Sequence, residues 1–158
     1  MKTLINQLKK DFLDVKFEPG ERFTWSPENQ VVIYKITSPP DPVAIWSLLH
    51  EVGHALLVHN DYQTDFELVQ MEAAAWQKAE ELGKKYSYKI NTEHIQDCLD
   101  TYRDWLYKRS LCPACSLSSL QVDSKTYRCF NCGSEWQVSK SKLCRPYRRS
   151  LRNAQAVN

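Results

Sequence analysis

The spacing of apolar residues changes along the chain, and each change marks an element. Leu4, Ile5, Leu8 and Phe12 recur at helical spacing among lysines, which predicts a short amphipathic helix within residues 1–14. Residues 23–25 and 31–36 are rich in β-branched and aromatic side chains. Ser26-Pro27-Glu28-Asn29 separates them, so a β-hairpin is predicted. Pro39-Pro40-Asp41-Pro42 ends the second strand, with Asp41 able to cap a helix whose first position is Pro42. That helix, read over residues 42–59, is apolar almost all round (Ile45, Trp46, Leu48, Leu49, Val52, Ala55, Leu56, Leu57), the pattern of a buried helix. A second helix is predicted from Thr64 or Asp65 to Gly83, where glycine suits a C-terminus. A third is capped by Asn91 or Thr92 and runs to about Arg109. Its apolar stripe is Ile95, Cys98, Leu99, Tyr102, Trp105 and Leu106.

From Leu111 the helical period is lost. Cys112-Pro113-Ala114-Cys115 and Cys129-Phe130-Asn131-Cys132-Gly133 are two CxxC knuckles, and the segments Thr126-Tyr127-Arg128 and Glu135-Trp136-Gln137-Val138 read as short strands. Each knuckle offers two thiolates, and the pair closes a tetrahedral four-cysteine site with no open position, so a structural Zn²⁺ is expected there. Gly133 suits the turn after the second knuckle. A segment this short has no core of its own, so the metal supplies its stability. Cys98 reads as a core residue, and Cys144 receives no role.

Composition supports a folded, metal-binding protein. Apolar residues make up 42% and charged residues 25%, which excludes a disordered chain. The N-terminal segment lacks the apolar run and cleavage site of a signal peptide, and no stretch is apolar enough for a membrane span. A cytoplasmic location is expected, and in a reducing compartment paired CxxC motifs read as metal ligands rather than disulfides. The net charge of +2 is unevenly spread. Residues 1–109 hold 13 Lys and Arg against 17 Asp and Glu, and residues 110–158 hold 8 against 2. The surplus lies mainly in Lys140, Lys142, Arg145, Arg148, Arg149 and Arg152, a patch suited to nucleic acid or an acidic partner, or to a solvated tail.

His50-Glu51-Val52-Gly53-His54 matches HExxH inside the buried helix. Residues four apart lie about 40° apart in azimuth, so both imidazoles leave one face and can grip one Zn²⁺. Glu51 stands beside the first ligand, where its carboxylate can take a proton from water that the metal has acidified. Gly53 in mid-helix costs about 1 kcal/mol relative to alanine, which makes sense if something packs close there. The second helix offers the third ligand. Its apolar stripe runs Leu68, Val69, Glu72, Ala75, Trp76, Ala79 and Leu82, with Glu72 inside it and Glu67 on the other face. A carboxylate on a buried face needs a partner, so Glu72 is the expected ligand and Glu67 a solvated glutamate. On a continued helix His59 would point about 140° away from His54, outside the first shell.

Leu48–His59, LLHEVGHALLVH, followed by ELVQMEAAAWQKAEEL over residues 67–82, resembles the gluzincin-type ImmA/IrrE-like metallopeptidases. That family shows HExGHxxLH and then a glutamate followed by alanines and an aromatic residue. In this chain Val58 holds the place of the last histidine, and His59 follows it. The resemblance covers roughly residues 20–85. It implies an α+β zincin-like domain with zinc on His50, His54 and Glu72, and Glu51 as general base. SprT-like metallopeptidases pair HExxH with a C-terminal zinc ribbon but use a third histidine, for which only His94 remains here. Tyr62, His94, Tyr102 and Arg103 are candidates to stabilise a transition state.

The expected fold is therefore α+β. A small zincin-like metallopeptidase domain spans residues 1–109, a four-cysteine zinc ribbon 110–138, and a basic tail 139–158. The expected activity is zinc-dependent hydrolysis of a protein or peptide substrate, with no membrane partner. The competing expectation is a catalytically inactive ribbon module that binds nucleic acid or a protein.

Overall fold

The computed structural model describes residues 1–39, 41–139 and 148–151. In chain order these form α1 (Lys2–Asp11), β1 (Lys16–Pro19), β2 (Thr24–Ser26), β3 (Val31–Tyr34), α2 (Pro42–Leu56), α3 (Asp65–Lys85), α4 (Thr92–Ser110), β4 (Leu120–Gln121), β5 (Thr126–Arg128), β6 (Glu135–Val138) and β7 (Arg148–Leu151). The fold is α+β, with four helices and two small sheets among the described residues. No helix among them is long and apolar enough to cross a membrane. The chain falls into two compact units, and neither is one run of sequence: Met1–Asp61 with Gln70–Gln96, and Tyr62–Val69 with Asp97–Asn158.

The first unit holds a three-stranded sheet in the order β1-β3-β2. The predicted hairpin is β2 and β3, antiparallel with Trp25 opposite Val32. The parallel partner β1 was not predicted, because Lys16–Pro19 contributes only one buried residue, Phe17. Helix α2 packs on β2 and β3, and Leu48, Leu49, Val52 and Val32 are fully buried. Asp41 caps α2 through Val43 N–H, with Pro42 at the first position.

Two predicted helix ends move. Helix α2 stops at Leu56, not at residue 59. Helix α3 runs past Gly83 to Lys85. Both stop by the same device. Val58 N–H bonds Ala55 O and His59 N–H bonds His54 O; Ser87 N–H bonds Lys84 O and Tyr88 N–H bonds Gly83 O. These are the paired 5→2 and 6→1 bonds of a Schellman motif, with Val58 (φ 52°) and Ser87 (φ 64°) as the left-handed residues. Gly83 is thus an interior residue. A Cβ there would lie 2.6 Å from Tyr88 O, so glycine is needed for close approach rather than for the turn.

The second unit contains the sheet β4-β5-β6-β7. Tyr127 and Trp136, opposite each other on β5 and β6, stack at 5.5 Å and form its core with Cys112, Cys129 and Val138. The first turn of α3 is held here. Thr64 Oγ1 accepts from Glu67 N–H, and Glu67 reaches back to accept from Gln63 N–H at 2.6 Å. Glu67 thus takes part in the cap of α3. Arg148–Leu151, expected within a basic tail, is instead an ordered strand paired with β6. Of the other basic-tail residues, Lys140, Lys142, Arg145 and Arg152 lie outside the described residues, as does Cys144.

Candidate metal centres

The first unit brings the HExxH histidines and Glu72 to one point. His50 Nε2 lies 3.1 Å from His54 Nε2, and Glu72 Oε2 lies 3.2 Å from the first and 3.5 Å from the second. The i, i+4 spacing on α2 supplies the histidine pair, and α3 lays Glu72 across it. Their contact is close because Gly53 faces the α3 backbone: a Cβ there would come within 2.5 Å of Ala75 O. A tetrahedral ion with about 2.0–2.1 Å bonds sets its ligand atoms about 3.3 Å apart. Two imidazole nitrogens and a carboxylate oxygen at 3.1–3.5 Å therefore fit one divalent ion, and these residues can hold it.

Glu72 is buried. Burial alone would raise its pKa, but hydrogen bonds from His50 and His54 outweigh that, so the carboxyl is held far below its ordinary range. The ionised form is the one a metal requires. His50 stacks on Trp76 with ring centroids 4.2 Å apart, and its Nδ1 has no hydrogen-bond partner among the described residues.

Glu51 is not part of the converging donor group. Its Oε2 accepts the backbone N–H of Trp25 at 2.7 Å, on the edge strand β2. That bond restrains the carboxylate while leaving the second oxygen available to a proton. Trp25 reaches a second group as well: its indole Nε1 donates to His59 O at 2.8 Å. His59 Nδ1 in turn lies 2.8 Å from His54 Nδ1. Burial, followed by the neighbouring His54, lowers the His59 pKa. A helix continued to residue 59 would carry His59 about 140° away from His54. The helix ends three residues earlier, and the Schellman turn brings His59 back beside His54. Val58 occupies the left-handed position although it is β-branched and 61% exposed, a conformation that costs roughly 1–2 kcal/mol. Trp25 carried no signal in the sequence beyond its strand.

Of the four candidates to stabilise a transition state, His94 lies in the first unit and Tyr62, Tyr102 and Arg103 lie in the second. His94 packs against Trp46 at 5.0 Å and edge-on to Trp76 at 5.6 Å.

In the second unit the four knuckle cysteines converge. Cys112 and Cys132 sulfurs are 3.5 Å apart, as are those of Cys115 and Cys129, and all four lie within 4.8 Å of one another. Tetrahedral thiolate ligation at about 2.3 Å implies separations near 3.8 Å, so the set also fits one ion. The knuckles are built alike. Ser116 N–H bonds Cys112 O, and Gly133 N–H bonds Cys129 O. Cys112 N–H bonds Leu117 O, and Cys129 N–H bonds Ser134 O. Ser116 and Gly133 both have positive φ, at 60° and 71°. The Cys132 backbone N–H brings the Cys129 thiol down to about 6. At Cys115 a Leu117 backbone hydrogen bond pulls downward, but burial and the Cys129 and Cys132 thiols hold it up at about 11.

No family model, no curated protein and no solved structure matches this chain.

Proposed function

We propose that this chain is a zinc-dependent metallopeptidase of the HExxH-plus-glutamate type, with a zincin-like domain and a structural zinc ribbon. The observation that carries the reading is the meeting of His50 Nε2, His54 Nε2 and Glu72 Oε2 within 3.1–3.5 Å, on the helix that also bears Glu51 and the helix that follows it. Two imidazoles and one carboxylate are the donor set of a three-ligand catalytic zinc, whereas four thiolates suit a closed structural one. The HExGH and Glu-Ala-Ala-Ala-Trp segments, similar to those of ImmA/IrrE-like metallopeptidases, point the same way.

A zinc ion held at the first site supplies a Lewis acid and brings the ionisation of water near neutral pH. His50, His54 and Glu72 would hold it. Glu51 serves as general base: it accepts the proton of the attacking water and passes it to the departing amine. The Trp25 N–H keeps that carboxylate in place. The substrate class is a peptide or protein.

The test is cleavage of a peptide library, read by mass spectrometry, by the wild-type chain and by Glu51→Gln. Glu51→Gln should retain both metals and lose about 10²–10⁴-fold in rate. Equal rates for the two proteins would refute the role of Glu51.

A second reading has an observation in its favour. Leu120, Arg128 and Arg149 share one face of the ribbon sheet by their registers, where Glu135 also lies and pairs with Arg128 at 3.7 Å, and Leu120 and the knuckle residue Phe130 are exposed. Cations beside exposed apolar groups suit an idle scaffold that binds nucleic acid. That reading predicts salt-sensitive binding to single-stranded DNA that survives Glu51→Gln and is lost in Arg128→Ala/Arg149→Ala.

A further inference from the structure

The geometry points to His59 as a positioning residue. With a metal in the site, His59 would accept the Nδ1 proton of His54 and so leave the Nε2 lone pair of that imidazole, which faces His50 and Glu72, for the ion. The inference rests on the metal-centre reading above and adds to it a residue outside the HExxH motif.

A neutral imidazole carries one proton and offers one lone pair. His54 Nε2 faces His50 Nε2 and Glu72 Oε2. For Nε2 to ligate, the proton must sit on Nδ1, and it then needs an acceptor. The atom facing it is His59 Nδ1 at 2.8 Å. His59 can accept there only with its own proton on Nε2, so the pair has one tautomer each.

Three features show that this contact is built. The Schellman turn places residue 59 back beside residue 54, its 6→1 bond running from His59 N–H to His54 O. Val58 adopts the left-handed conformation that the turn demands, one that β-branched residues disfavour. Trp25 then fixes the far end by donating its indole N–H to His59 O. Because the same Trp25 donates its backbone N–H to Glu51, one edge-strand residue steadies both the general-base carboxylate and the support of a ligand. The other ligand differs: His50 Nδ1 has no such acceptor among the described residues.

The experiment measures Zn²⁺ affinity at this site by chelator competition, and the Co²⁺ absorption spectrum, in the full chain with the ribbon loaded. His59→Phe keeps a ring but no acceptor and should weaken zinc binding about 10–100-fold. His59→Asn places an amide oxygen where Nδ1 stood and should recover most of that loss. Trp25→Phe should fall between. Nitrogen-detected NMR of the zinc-loaded wild type should show His54 protonated at Nδ1 and His59 at Nε2, a readout that survives if a variant does not fold. Wild-type affinity in His59→Phe, or a proton on His59 Nδ1, would overturn the inference and leave the metal centre standing. A wild-type chain that takes up one metal equivalent alone, on the cysteines, would overturn both.

Discussion

Gly53 and Ala75 are in backbone contact: a Cβ on Gly53 would sit 2.5 Å from the Ala75 carbonyl oxygen and 3.3 Å from the Ala75 carbonyl carbon and Cα. That approach lets Glu72 on α3 lie 3.2 and 3.5 Å from the two histidines on α2. The glycine costs about 1 kcal/mol of helix propensity and returns a donor set of ligand dimensions.

Gly53→Ala is therefore expected to destabilise the chain by up to about 2 kcal/mol, since about 1–3 kcal/mol of overpacking against backbone is set against about 1 kcal/mol gained in propensity. Metal affinity at the histidine site should fall with it. Ala75→Gly should not rescue the variant, because the obstructing atoms are backbone. Urea unfolding of the single and double variants measures this, and a Gly53→Ala chain as stable as the wild type would show that the helices can separate freely.

Val58 offers the opposite change. Glycine at this left-handed C-terminal position removes a side chain that is exposed and sterically disfavoured. Val58→Gly should stabilise the chain by about 0.5–1 kcal/mol after the entropy of the unfolded glycine is set against the strain. A rise in the urea midpoint at unchanged slope is the expected result. A fall would mean that Val58 makes a contact worth more than its strain.

Asp65 and Arg109 are each 2% exposed and joined by two bonds, Nε to Oδ2 at 2.6 Å and Nη2 to Oδ1 at 3.1 Å. Tyr127 also donates to Oδ2, at 2.6 Å. Removing one member strands the others, so Asp65→Ala should cost about 3–5 kcal/mol in the thermal unfolding of the second unit. Burial, then the hydrogen bond to Asp65, raises the Tyr127 pKa above its ordinary 10. A raised pKa means that the folded state holds the phenolic proton more tightly. The contribution is therefore complete below pH 10 and declines as pH climbs beyond it. Stability measured from about pH 8 to 11 should drop at the alkaline end in the wild type and less in Tyr127→Phe. Identical slopes would remove Tyr127 from the account.

Metal removal should separate the two centres. Native mass spectrometry is expected to find two ions per chain, with His50→Ala retaining one. Cys132→Ser should also lose one, and with it the fold of the ribbon, whose core is little more than Tyr127, Trp136 and Val138 between the cysteines. A chelator should abolish the near-ultraviolet signal of the Tyr127–Trp136 stack. A ribbon that keeps this signal without metal would show that the sheet stands on its own.

Much of the architecture is legible in local pattern. Asp41-Pro42 announces α2, Asn91 caps α4 by accepting from Glu93 N–H, and the predicted hairpin is β2–β3. Strand β1 escaped notice because a four-residue edge with one buried side chain has no period to detect. The ends of α2 and α3 were misplaced for a different reason. A left-handed C-cap is usually announced by glycine, and here valine and serine fill those positions while Gly83 serves a packing contact.

By itself the sequence picked out the members of each group that could hold a metal, because donor chemistry is a matter of residue type and i, i+4 spacing, and a carboxylate on an apolar stripe stands out against its neighbours. Only the tertiary structure decided how closely α2 and α3 approach, that Trp25 would grip Glu51, and that His59 would fold back onto His54. Those contacts depend on where a helix stops and on backbone surfaces meeting across long stretches of chain, and neither leaves a periodic trace in the order of residues.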